Sequence, residues 1–252
     1  MDENKTKLKL DALREEIRER VKVFAEVLIA ESADNLQSIT VVGSSLTKDF
    51  RVGQSDINTV LVLSKIQQDS LKRIARLAKP MSKKKISPPL LMTTPYIERS
   101  LDVFGIEFLE FQLAHQTILG DDPFGGLSIS KKDVRLQCER ELKAMLIRLR
   151  QGFIASGGNR KLVRDILIST TKGLLPLLRA MLWLKDVERT ALAEDTLNKA
   201  SSELSINIDS LKETLNWRSQ KTRLGEFEME QIFQSIYSTA EQLALIVDKL
   251  EV

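Results

Sequence analysis

Val41-Val42-Gly43-Ser44-Ser45, followed by Gln54-Ser55-Asp56-Ile57-Asn58-Thr59-Val60-Leu61-Val62-Leu63, is the stretch that decides how this chain folds. A hydrophobic strand over residues 38–43 ends on Gly-Ser. The chain turns and enters a second strand, 57–63, rich in Val, Leu and Ile. Alternate residues of a strand share a face, so Asp56 and Asn58 point the same way, at the edge where the Gly-Ser turn sits. Exposed N–H groups in such a turn form a nest for an anion, and Ser44 and Ser45 add hydroxyls. Asp56 is the best cation ligand. Asn58 offers an amide oxygen, which can ligate a metal but carries no charge.

Outward from this pair, residues 7–31 read as a helix, with Leu10, Leu13, Ile17, Val21, Phe24 and Leu28 at spacings of three and four. A second helix is expected over 67–79, a strand over 90–93, a short helix from Thr94 to Leu101, and a third long strand over 103–111. Gly125-Gly126 marks a boundary. Beyond it the pattern is helical throughout: 132–155, stopped by Gly157-Gly158-Asn159; 160–186, apolar nearly all round; then about 190–204, 208–217 and 226–250. Pro176 should kink or split the helix that contains it.

Composition narrows the class. With 42% hydrophobic and 29% charged residues the 252-residue chain is that of an ordinary globular protein. No uninterrupted apolar run reaches about 18 residues, so no membrane span is expected. The charged start, Met1-Asp2-Glu3-Asn4-Lys5, has no signal-peptide core, and a lone cysteine, Cys138, excludes an internal disulfide; the expectation is a cytoplasmic protein. The net charge is only +3, and residues 1–127 hold 18 basic and 18 acidic side chains. That balance argues against a grip on a long nucleic acid.

The pattern around Gly43, Ser44, Asp56 and Asn58 resembles the nucleotidyltransferase superfamily related to DNA polymerase beta. Its members carry a hydrophobic residue, Gly, then Gly or Ser, a short spacer, Asp-x-Asp inside a strand, and a third carboxylate on a later strand. Ser100–Phe111 and Leu119-Gly120-Asp121-Asp122-Pro123 look like the third-strand region of bacterial members, so the likeness spans roughly residues 20–125. It implies an α+β fold: a small mixed sheet with flanking helices over 1–127, then an α-helical bundle over 128–252, the layout of the bacterial antibiotic nucleotidyltransferases. The implied activity is transfer of a nucleoside monophosphate from a nucleoside triphosphate, with Mg²⁺, to a hydroxyl of a small molecule or protein. The implied catalytic residues are Asp56, Asn58 and Glu107. Gly43, Ser44 and Ser45 would hold the nucleotide, and Asp56 with Glu107 or Glu110 the metal. A homodimer face is credible on the apolar helix 160–186.

The chain departs from the family at Asn58, where the second acid belongs. Either the site is degraded and the protein works as a nucleotide- or protein-binding module, or it works with a weakened site, or another acid substitutes. Glu107 shares an expected strand face with Leu109 and Phe111, and Glu110 the opposite one. Burying an unpaired carboxylate is costly, so one of them should face the cleft. His115, the only histidine, lacks the companions of a zinc site and is expected to face substrate or serve structure. Lys83-Lys84-Lys85 reads as a solvated loop able to attract a triphosphate or acidic partner. Asp121-Asp122-Pro123 reads as a helix or turn cap.

Overall fold

The computed structural model describes residues 7–32, 34–217 and 225–252. The charged stretch 1–5 lies outside the described residues. Four strands, β1 (Leu36–Val42), β2 (Asn58–Leu63), β3 (Leu90–Met92) and β4 (His115–Leu119), form one mixed sheet in the order β3-β2-β1-β4. β1 is antiparallel to both β2 and β4, and β3 runs parallel to β2.

One face of the sheet is covered by α1 (Glu15–Ser32). Its buried residues Ile17, Val21, Phe24, Ala25 and Leu28 pack with Ile39, Val41, Ile57, Leu61, Leu63 and Ile118. Each such burial contributes about 1.5–3 kcal/mol. The crossover from β2 to β3 consists of α2 (Gln68–Arg76) and α3 (Ala78–Lys83), followed by α4 (Thr94–Glu98) and α5 (Gly105–Leu113) before β4. Thr93 caps α4, its hydroxyl accepting from the Tyr96 amide at 3.2 Å.

The chain divides into two compact units: Met1–Leu101 with Phe108–Ser128, and Asp102–Glu107 with Ile129–Val252. The second is helical: α6 (Lys131–Ser156), α7 (Arg160–Leu184), α8 (Ala193–Leu204), α9 (Asp209–Asn216) and α10 (Glu226–Asp248). Its caps follow the sequence signals. The Ser130 hydroxyl starts α6, left-handed Gly157 ends it, and the Asn159 side chain accepts from the Lys161 and Leu162 amides to start α7. α7 packs against α6, α8, α9 and α10. The guanidinium of buried Arg179 pins the α7–α8 connection by donating to the Thr190 and Ala191 carbonyls and the Thr196 hydroxyl. Buried Cys138 is held protonated, since burial pushes its thiol up to about 12; it fills space on α6.

Several expectations need correction. Residues 103–111 are not a strand: Gly105–Leu113 is helix α5, with Ile106, Phe108 and Leu109 buried. The strand lies just after it, at His115–Leu119. The first helix begins at Glu15 rather than at residue 7. Leu8 and Leu10 still pack on the core, because Lys9 donates its amide to the Ile118 carbonyl at 2.8 Å beside β4. The helix expected over 67–79 breaks into two at Leu77. α7 is not split at Pro176. By length and composition α7 is also apolar enough to cross a membrane. Its buried Leu167, Leu174, Leu178 and Leu182 account for that hydropathy inside a bundle.

Candidate functional site

Three pieces of backbone converge at one end of the sheet. β1 ends at Val42 and turns through a 3₁₀ segment, Gly43–Leu46. Val42 pairs with Asn58, the first residue of β2, and on its other side with His115, the first residue of β4. Directly paired residues share a face, so Asn58, Val42 and His115 form a row. It lies on the face opposite the α1 core, because Val41 and Ile57, one residue along, belong to that core.

Gly43 makes the turn possible. Its φ of 77° lies in the left-handed region, which glycine adopts without steric cost, and its amide donates to the Ala114 carbonyl at 2.9 Å. A Cβ there would lie 3.9 Å from Asn58 Nδ2, which measures how closely the turn and the amide approach. The two serines diverge. Ser44 is exposed, and its carbonyl accepts from the amide and hydroxyl of Thr47. Ser45 is buried with its hydroxyl directed at the Val42 carbonyl, 3.4 Å away. The loop that follows is anchored by Arg14, which donates to the Thr47 carbonyl at 2.7 Å.

Asp56 and Asn58 are both exposed, and Ile57 between them is fully buried. The structure thus brings Gly43, Ser44, Asp56 and Asn58 to one edge. Glu107 stands on the first turn of helix α5 and not on a strand. There the Glu107 carboxylate accepts from Gln137 Nε2 of α6 at 2.7 Å, and Gln137 Oε1 accepts from the Ile106 amide at 2.9 Å. Glu110 is on the same helix. Among the described residues no strand carries a third acid: β3 is Leu-Leu-Met and β4 is His-Gln-Thr-Ile-Leu. Among the described residues, no group of three or more His, Cys, Asp or Glu side chains is placed to hold a metal ion. One carboxylate and one neutral amide do not fit the pair of divalent ions that a two-metal transfer uses.

A feature the sequence reading missed is the partner of His115. Its Nε2 lies 3.0 Å from Asp122 Oδ2, and Asp122 Oδ1 accepts from the Phe124 amide at 3.0 Å. The Phe124 ring and the imidazole stand at right angles, with centroids 5.9 Å apart, and Nδ1 is buried without a partner. The turn-cap reading of Asp122 identified the backbone contact but not the imidazole. Burial works to raise the Asp122 carboxyl, but the Phe124 amide and His115 outweigh it and hold the group below the usual carboxylate value. A depressed folded-state pKa contributes stability that is present above the unfolded value, near 3.8, and is lost as pH falls through the folded one. Asp122→Asn should therefore flatten the acid limb of the melting temperature against pH below about pH 4; an unaltered limb would show that the contact contributes nothing.

No family model matches the sequence, and no curated protein matches it. Among solved structures, the chain is similar to spectinomycin adenyltransferase AAD(9) from Enterococcus faecialis, solved with ATP and spectinomycin. The TM-score is 0.56 at 14% identity, over 89% of this chain and 98% of that one. The likeness shows that the chain has the nucleotidyltransferase fold, an α+β unit with a small mixed sheet followed by a helical region.

Proposed function

We propose that this chain binds the phosphates of a nucleoside triphosphate at the Gly43–Ser44 turn and the adjoining start of β2, and acts through that binding rather than through two-metal nucleotidyl transfer. The observation that carries the reading is the acid count on the strands: Asp56 stands just before β2 with Asn58 where a second acid would be, β3 next in the sheet is apolar, and Asp122 at the far side of the row is engaged by His115. With the Gly43 amide given to Ala114 and Ser45 buried, exposed Ser44 is the part of the turn that offers an anion its backbone N–H and hydroxyl. The partner that reads the bound state would be a protein or small molecule.

A second reading has its own support. Asp56 is retained, and the similar AAD(9) structure holds ATP and an acceptor, so transfer to a hydroxyl with Mg²⁺ remains the competing function. The sign of one variant separates the two. If Asp56 only adds a negative charge near the triphosphate, Asp56→Ala should leave ATP binding in place or tighten it up to about fivefold, since two unit charges near contact in water repel by about 1 kcal/mol. If Asp56 carries a metal on which binding depends, the same change should abolish it. Calorimetric titration of ATP with EDTA and with Mg²⁺, on wild type and Asp56→Ala, gives the answer. Binding that needs Mg²⁺ and vanishes in Asp56→Ala overturns the binding-module reading in favour of the enzyme. No ATP binding under either condition overturns both.

A further inference from the structure

The crossover from β2 to β3 returns to the site at Lys83-Lys84-Lys85. The Ile57 amide donates to the Lys85 carbonyl at 2.7 Å, the Ser87 amide donates to the Ile57 carbonyl at 3.0 Å, and Ile57 and Ile86 form a parallel bridge. Ile57 and Ile86 are both buried in the α1 core. The three lysines therefore adjoin the residue that separates Asp56 from Asn58, one strand spacing of about 4.8 Å away in backbone terms. Lys85 holds a φ of 57°, a left-handed conformation uncommon for a residue other than glycine, and is fixed there by its carbonyl bond from the Ile57 amide and its own amide bond to the Ser82 carbonyl. Lys83 and Lys85 are exposed and Lys84 is half-buried.

Charge is equally one-sided. From Ser70 to Ile97 the chain has seven cations, Lys72, Arg73, Arg76, Lys79 and the three lysines, and no acid. Asn58 belongs to the same pattern, because an amide in place of a carboxylate removes one negative charge from the edge. The helix-end explanation covers Lys83, the last residue of α3. It does not cover Lys85, which lies beyond the helix and is pinned to β2.

We infer that the Lys83–Lys85 turn is the charge-neutralising arm of this site, with lysine ammonium groups taking the place of divalent ions against the triphosphate. The inference rests on the nucleotide-binding reading and adds what holds the phosphates. It follows that ATP binds without a divalent ion, that affinity falls in the order ATP, ADP, AMP, and that added salt weakens it by screening.

The experiment is a titration of ATP, ADP and AMP in EDTA on the full chain. The proteins are wild type, Lys84→Gln/Lys85→Gln, Lys84→Arg/Lys85→Arg and, as a charge control in the helical unit, Lys249→Gln, with melting curves recorded for each. Expected are a loss of ATP affinity of at least about tenfold in the Gln pair, collapse of the ATP-over-AMP preference, retention in the Arg pair and in Lys249→Gln, and unchanged melting. Equal ATP binding by wild type and the Gln pair overturns the lysine arm and leaves the nucleotide-binding reading standing. Binding by wild type only with Mg²⁺ likewise overturns it. Absence of ATP binding by wild type with or without Mg²⁺ overturns the underlying reading and this inference with it.

Discussion

Gly120→Ala should cost at least about 4 kcal/mol and leave little soluble protein. Gly120 follows β4 directly and has φ 73°. A Cβ there would lie 2.0 Å from the Gln37 carbonyl oxygen and 3.1 Å from the Ser38 Cα, both backbone atoms of the central strand β1. A flexible side chain could swing away from such an approach; a paired strand cannot. Either the β1–β4 register opens or the 120–128 segment lifts. With total stabilities of about 5–15 kcal/mol, that loss is a large share of the whole. Gly53 provides the internal comparison. It has an equally positive φ of 80°, but a Cβ there meets nothing within 4 Å. Gly53→Ala thus carries backbone strain alone, about 1–2 kcal/mol, which at about 2–4 °C per kcal/mol should lower melting by only a few degrees. Melting curves of the two variants side by side test the point. Similar melting temperatures would mean that the sheet edge yields far more readily than its pairing indicates.

The second large effect is expected from Asn58→Asp. The change is nearly isosteric at an exposed position, so the fold should tolerate it. It places two carboxylates on one face, two residues apart, with buried Ile57 between them. Two like charges so near repel in the absence of a cation and attract a divalent one. Mg²⁺ should bind the variant at least about tenfold more tightly than wild type, a difference of about 1.4 kcal/mol. Its melting temperature should rise with added Mg²⁺ by mass action while wild type stays put. Calorimetric Mg²⁺ titration reads the first and thermal melting the second. Equal Mg²⁺ affinity in the two proteins would mean that a backbone or loop feature, not residue 58, decides metal occupancy at this edge.

The strands that carry this edge were legible because their cues are local. Val41-Val42 and Val60-Leu61-Val62 are apolar and rich in β-branched valine, and Gly43-Ser44 stands between them. The helical unit was legible for a similar reason: Ser130, Gly157 and Asn159 punctuate it where the caps fall. What failed was α5. Val103, Phe104, Ile106, Phe108, Leu109 and Phe111 are so densely apolar that neither a period of two nor one of 3.6 stands out. Ile106, Phe108 and Leu109 are buried while Val103 and Phe104 just ahead of α5 are exposed, so the run spans two environments and its density does not report strand pairing. The same error hid β4, whose opening His-Gln-Thr looks like a loop until it is paired to β1. It also carried Glu107 and Glu110 into a strand, where a third acid was expected. The Asp122–His115 contact spans seven residues across a turn, and no sequence period reports it. The lysine turn was visible as charge, but its attachment to Ile57 is a tertiary fact.

The chain contains one histidine, and it stands at the end of β4 beside the central strand. Its ring bonds to Asp122 and makes a T-shaped contact with Phe124. In a proton spectrum its carbon-bound ring hydrogens therefore give one pair of lines in a region free of other histidines, displaced by the neighbouring aromatic current. Because Val42 joins Asn58 on one side to His115 on the other, a molecule arriving at the β1–β2 end should shift those lines. The protein thus carries a built-in spectroscopic probe of this sheet edge, needing neither label nor assignment, with which nucleotides, metals and acceptors can be screened one after another.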